Sequence, residues 1–323
     1  MRSGRWLLVL LTAWVLIGPA LAQTYPERAI KIIVPQPPGG GFDTVARVLA
    51  DRLSPLLGQP LLVENRPGAG TLVGTEAAAK APADGYTLLL GALSNIALNP
   101  GLYDRLAYDP LRDFVPVGLA VTWSYTLVAR KDLPHKDLND LVAFARANPE
   151  QVTYASAGRG SGQHIAMAVT AQLAGIKLTH VTYRGAQAAY QDVLGGRVDL
   201  FFDISSTARA QVDAGSVRAL AVSSRARQPM HPQVPSVAET GVAGLDMESW
   251  FGLFAPAAVP AATLARLRVE LSKVLADPEV AALFANTGGR LLNLSPAETE
   301  ALIKRDVERW TKLIREAGIS ASQ

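Results

Sequence analysis

The 323-residue chain contains no cysteine. That excludes thiol nucleophiles, disulfides and thiolate metal sites. Histidine is scarce as well. His135, His164, His180 and His231 are scattered, without the short spacings of a metal-ligating set, so neither a metal nor another cofactor is expected. An excess of one charge is also missing: Lys and Arg total 31 against 28 Asp and Glu, a formal +3. No run of Lys or Arg occurs, so no nucleic-acid partner and no membrane-surface role is expected. Beyond the first residues there is no long apolar run.

The N-terminus holds the apolar stretch that does exist. Arg2 and Arg5 precede Trp6–Ile17, which is followed by Gly18-Pro19 and the small-residue site Ala20-Leu21-Ala22. A basic start, an apolar centre and an A-x-A site describe a secretory signal peptide over residues 1–22, cleaved before Gln23. The alternative, a membrane anchor, needs about 20 apolar residues. Losing the leader removes Arg2 and Arg5, which lowers the formal charge from +3 to +1, and leaves 301 of the 323 residues. That length suits two domains of ordinary size, able to bury enough apolar area without disulfides. A periplasmic protein is expected.

Short β-branched runs alternate with amphipathic segments. Strands are expected at Ala29–Pro35, Leu61–Glu64 and Tyr86–Leu90, with helices at Phe42–Leu57 and Leu72–Ala81. This alternation argues for a parallel sheet covered by helices. Val115–Arg130 is too long for one ordinary strand and reads as a crossing between domains. A second series follows, with strands at Val152–Ala155, Thr179–Tyr183, Val198–Phe202 and Arg218–Ser223. Its helices are expected at Leu138–Ala147, Gln163–Ala174, Ala188–Leu194 and Thr207–Ala214. Glu248–Pro256 is a second candidate crossing, and three terminal helices close the chain. The last carries Ile303, Val307, Trp310, Ile314 and Ala317 as one apolar packing stripe. The expected organisation is two α/β lobes, the first discontinuous (residues 23–123 and 249–323), the second spanning 124–248. A ligand cleft between them is the natural site.

Three glycine-bearing turns each join a strand to a helix. Gly39-Gly40-Gly41-Phe42-Asp43 opens the first helix. Glycines let a backbone turn tightly, and a helix N-terminus offers unpaired N–H groups and a positive dipole end. Together these make an anion site, although a plain turn capped by Asp43 or Thr44 fits the residues too. The dinucleotide fingerprint fails at Thr44, and no phosphate-loop Gly-Lys-Ser/Thr follows. Gly158-Arg159-Gly160-Ser161-Gly162-Gln163-His164 repeats the arrangement, as does Tyr183-Arg184-Gly185-Ala186. Arg159 and Arg184 add positive charge beside two of these turns. Ser161 and His164 raise a hydrolase reading, but Arg159 stands where a nucleophile elbow needs Gly, and no carboxylate lies beside His164. Asp203, at a strand end, is placed to meet a ligand's amine or hydroxyl, or to cap the next helix. Trp123 and Tyr125 lie in the first crossing and read as hinge or core packing.

Taken in order, the runs YPERAIKIIVPQPPGGGFDTVAR, VENRPGAGTLVGTEAAAKAPADGYTLLLG, GSGQHIAM, HVTYRGAQAAYQDVLGGRVDLFFD and WFGLFAP resemble the Bug family. These are the periplasmic solute receptors of tripartite tricarboxylate transporters, and the resemblance covers nearly the whole chain after residue 22. It implies a type II periplasmic-binding-protein fold, with two α/β lobes, a ligand cleft and a hinge. It implies a non-enzymatic monomer that takes a small carboxylate on backbone N–H groups and ordered waters, then delivers it to membrane permease subunits. Residues carried over are Gly40, Gly41, Phe42, Asp43, Ser161, Gly162, Gly185, Ala186, Ser94, Asn95 and Asp203. The chain departs from the family where hydroxyl residues often follow the glycine pair, since Gly41 and Phe42 stand there. Arg184 replaces a frequent Lys, and Trp123 and Tyr125 are bulkier than usual. The competing classes are a secreted serine hydrolase, which needs an acid orienting His164, and a ligand sensor for a receptor kinase, which neighbouring permease genes would distinguish from a transport receptor.

Overall fold

The computed structural model describes residues 25–321; the expected leader and its cleavage site lie outside the described residues. The first series forms β1 (Ile30–Val34), α1 (Gly41–Leu57), β2 (Leu61–Asn65), α2 (Leu72–Ala79) and β3 (Thr87–Ala92). β1 is apolar at nearly every position, with Ile30, Ile32, Ile33 and Val34 buried, as a parallel strand covered on both faces requires. It pairs in parallel with β2 on one side and β3 on the other. α1 buries Phe42, Val45, Leu49 and Leu53 on one face. Leu57 completes that face, while Leu56, expected there, is 38% exposed. A π-helical turn, Leu93–Leu98, and the short α3 (Asn99–Leu102) follow β3; neither was expected.

β4 (Phe114–Arg130) is a single strand of 17 residues. At ~3.3 Å per residue it spans roughly 55 Å. Its first part, Phe114–Ser124, pairs antiparallel with β9 (Glu248–Pro256). Its second part, Tyr125–Arg130, is flanked by β7 (Leu200–Ile204) and β8 (Val217–Val222). The second series lies between: α4 (Leu138–Ala147), β5 (Thr153–Ser156), α5 (Gly162–Ala174), β6 (Thr179–Thr182), α6 (Ala186–Leu194), and α7 (Ser205–Asp213) after β7. β5 pairs in parallel with β6 and β7. α8 (Ala261–Leu275), α9 (Pro278–Ala285), β10 (Arg290–Leu291) and α10 (Pro296–Glu316) end the chain. The sheet therefore runs β2-β1-β3-β9-β4-β7-β5-β6, with β10 and β8 also on β4.

Two crossings tie the halves together, and one serine joins them. Tyr125 N donates to Ser223 Oγ at 2.8 Å, Ser223 Oγ donates to the Met247 carbonyl at 2.6 Å, and Met247 N returns to the Ser223 carbonyl at 3.0 Å. The main core runs through both halves, and a smaller cluster around Tyr190, Val193, Phe201 and Ala208 lies beneath α6 and α7. α10 buries Ile303, Val307, Trp310 and Ile314 as its periodicity predicts.

Candidate functional site

Each of the three glycine turns opens a helix. α1 starts after Gly40, α5 after Ser161 and α6 after Gly185. The three starts converge on one space. Gly40, Gly41 and Phe42 line it from α1, Gly162 and Gln163 from α5, and Ala186 from α6. Asp203 and Ile204 at the end of β7, and Ser94 after β3, complete that side. Gln36, Tyr125 of β4, and Ser249 and Phe251 of β9 supply the rest. Both halves of the chain thus face one narrow cleft, with room for about one water.

The chemistry of the cleft is two-sided. No Lys, Arg or His is among its described lining residues, so positive potential comes from backbone N–H groups and helix dipoles. Asp203 is 1% exposed. Gln163 Nε2 donates to its Oδ1 at 3.4 Å and Thr207 Oγ1 donates to its Oδ2. Burial raises the carboxyl to about 6, against the opposing pull of its hydrogen bonds to Thr207, Ile204 and Gln163. Asp203 lies inside β7, one residue beyond the strand end expected from the sequence, and it accepts from Thr207 one turn into α7. Tyr125 is fully buried, and a Cβ on Gly162 would meet its hydroxyl, so only glycine fits there. Phe42 and Phe251 meet edge to face at 5.2 Å and form the apolar wall.

Other residues singled out in the sequence stand behind this lining. Asp43 does not cap α1 with its side chain. Its carboxylate accepts from Gly39 N at 3.1 Å, Arg47 Nε at 2.9 Å and Asn65 Nδ2 at 3.0 Å, which fixes the glycine turn. These hydrogen bonds and the Arg47 charge hold it below the usual carboxylate range, although burial, the largest single influence, acts the other way. Asn95 is likewise occupied: its Oδ1 accepts from Ala92 N at 2.7 Å and its Nδ2 donates to Thr75 Oγ1 at 3.0 Å, bracing the turn that carries Ser94. Ser161 is the N-cap of α5, with Oγ accepting from His164 N.

The His164 ring stacks on His180 at 4.4 Å, and its Nδ1 accepts from Gly160 N. It does not engage the Ser161 hydroxyl, and no hydrogen bond joins it to a carboxylate. Burial and the charges of His180 and Arg159 push it down to about 3. Gly185, at φ +97°, shapes the start of α6 against Pro37 of the other half. Arg159 and Arg184 are exposed and do not line the cleft. Trp123 packs between Phe251 and Phe284 in the core, whereas Tyr125, two residues on, faces the cleft. Gln36, Gln163, Ile204, Ser249 and Phe251 carried no sequence signal. The register of β4 against β9 is what brings Phe251 and Ser249 to the site.

Two halves of parallel α/β structure, joined by two crossings and closed over helix N-termini, define a periplasmic-binding-protein-type solute receptor. The chain belongs to the tripartite tricarboxylate transporter receptor family, whose model matches residues 45–319. BugT of Bordetella pertussis is 35% identical over 302 residues, 93% of each chain. Among solved structures, MatC of Rhodopseudomonas palustris with bound malate is 31% identical, with a TM-score of 0.86 over 90% of this chain and 100% of that one. An R. palustris protein with adipate is also 31% identical, at a TM-score of 0.87 over 92% and 99%. Among the described residues no helix is long and apolar enough to cross a membrane.

Proposed function

We propose that this chain, exported and cleaved before Gln23, works as a monomeric, non-enzymatic receptor. It captures a small mono- or dicarboxylate between its lobes and delivers it to the membrane permease subunits of a tripartite transporter. The observation that carries this reading is the convergence of three helix N-termini, drawn from both halves, on one cleft without cationic side chains. Malate and adipate in the relatives' structures support the ligand class. The boundaries proposed for the lobes, 23–123 with 249–323 and 124–248, follow the switch of β4 from β9 to β7 between Ser124 and Tyr125. The first contacts proposed are Gly40, Gly41, Phe42, Ser94, Gly162, Ala186 and Asp203. Asp43, Asn95, Ser161 and Gly185 support them from behind.

Energy suffices without chemistry. A micromolar complex corresponds to about −8 kcal/mol, and a hydrogen bond to a charged group contributes roughly 1.5–3 kcal/mol. Several such bonds plus burial against Phe42 and Phe251 reach that value. Thermal-shift screening tests the reading: small carboxylates raise the melting temperature and neutral sugars leave it unchanged. Stabilisation by sugars alone would refute it.

A further inference from the structure

The cleft has a donor pole and an acceptor pole, and the second restricts the ligand further. We propose that the ligand group opposite its carboxylate is a hydrogen-bond donor, so the preferred class is a small monocarboxylate bearing a hydroxyl or an ammonium, rather than a polycarboxylate. This rests on the carboxylate reading above. A helix N-terminus carries about half a positive charge. The starts of α1, α5 and α6 therefore present roughly +1.5, partly offset by the one carboxylate of Asp203. One ligand carboxylate already exceeds the roughly +0.5 that remains. A second finds no cationic side chain among the described lining residues and meets the field of Asp203 instead.

Hydrogen-bond capacity points the same way. An ionised carboxylate has about four acceptor sites; on Asp203 Gln163 and Thr207 fill two and the Ile204 backbone a third, which leaves about one. Tyr190 approaches from α6 and its hydroxyl lies beside the carboxylate, outside good hydrogen-bond geometry. Ser249 Oγ, on β9 and 1% exposed, also lacks a partner in good hydrogen-bond geometry, although the Tyr125 hydroxyl is beside it. A buried carboxylate with a spare acceptor site and a buried hydroxyl without a well-placed partner, both lining one cleft, suit a ligand that donates at this end. Tyr125, from β4, and Tyr190 are the other titratable groups facing Asp203, and burial keeps both neutral through pH 8.

Calorimetry at pH 7.5 on the full mature chain tests this with butyrate, 3-hydroxybutyrate, 4-hydroxybutyrate, 4-aminobutyrate, succinate and citrate. At least one hydroxy or amino acid is expected to bind tenfold or more tighter than butyrate, succinate and citrate. In Asp203→Asn, with unliganded melting as the folding control, that preference collapses and succinate gains affinity. If the variant does not fold, the wild-type ranking decides alone. The proposal is overturned if succinate or citrate binds wild type more tightly than every donor-bearing acid, or if Asp203→Asn keeps the wild-type ranking. Should no acid in the panel bind, the carboxylate reading itself falls, and this inference with it.

Discussion

Two positions in the glycine turns separate binding from stability. Gly40 adopts φ −99° and ψ 179°, a conformation open to any residue, so positive φ is not what glycine supplies here. A Cβ at Gly40 would find only Gln36 Oε1 within 4 Å, at 3.8 Å. Gly40→Val should therefore fold normally while its methyl groups occupy the lining beside the helix start. Its affinity should fall well beyond tenfold, about 1.4 kcal/mol, with little change in melting temperature. Ser161→Ala does the opposite. It removes the hydroxyl that accepts from His164 N, a cap contributing ~1 kcal/mol, and leaves the N–H groups of Gly162 and Gln163 in place. Calorimetry and thermal unfolding on the two variants check the contrast; a Ser161→Ala protein that melts normally but no longer binds would reverse the assignment.

At the scale of elements, α5 and β6 meet through the His164–His180 stack, which also packs on Tyr154 at 4.7 Å. Burial, then neighbouring positive charge, pushes His164 down to about 3 and His180 to about 4. In the unfolded chain both titrate near 6.5, so between roughly pH 4 and 6.5 the unfolded state binds more protons than the folded one. Their contribution is thus complete above pH ~6.5 and is lost as pH falls, at up to about 1.4 kcal/mol per pH unit for each ring. Asp203, raised to about 6, acts in the other sense: folded protein gains from its proton as pH falls below 6. Two rings outweigh one carboxyl, so wild type should lose on the order of 2 kcal/mol between pH 7 and 5. The double variant His164→Gln/His180→Gln should show a flatter profile by chemical denaturation. Equal slopes in both proteins would remove the pair from the account.

Elements also show what the residues disclosed in advance. The length of Val115–Arg130 announced a segment that crosses from one half to the other, and β4 does so; the three glycine turns announced helix starts, which converge. Local chemistry sufficed in both cases. Ser249 and Phe251 gave no sign, because their place in the cleft depends on pairing with β4 more than a hundred residues away. Ser223 reads as an ordinary strand-end serine, yet it links both crossings. Trp123 and Tyr125 looked alike in sequence and, two apart on one strand, share its face; they part because β4 leaves β9 for β7 between them, which sets Trp123 against Phe251 and Phe284 and Tyr125 at the cleft.

For the whole molecule, the narrow cleft requires opening before a ligand of four or more carbons can enter. Contacts between the halves hold it shut: Gln187 Nε2 donates to the Gly39 carbonyl at 3.3 Å, and a Cβ on Gly185 would stand 3.6 Å from the Pro37 Cβ. That separation matches the ~3.5–4.5 Å between the Cβ atoms of a disulfide. Because the chain has no cysteine, Pro37→Cys/Gly185→Cys introduces a pair with no competing thiol. Positive φ at residue 185 costs about 1–3 kcal/mol, which the reduced variant, still able to bind, controls for. Oxidised before ligand is added, the protein should not bind, and reductant should restore binding. Oxidised after loading, it should retain ligand through extensive dialysis. Small-angle scattering should show the ligand-free wild type expanding relative to the cross-linked form and contracting when ligand is added. Oxidised protein that still exchanges ligand at the reduced protein's rate would show that access does not depend on separating the two halves.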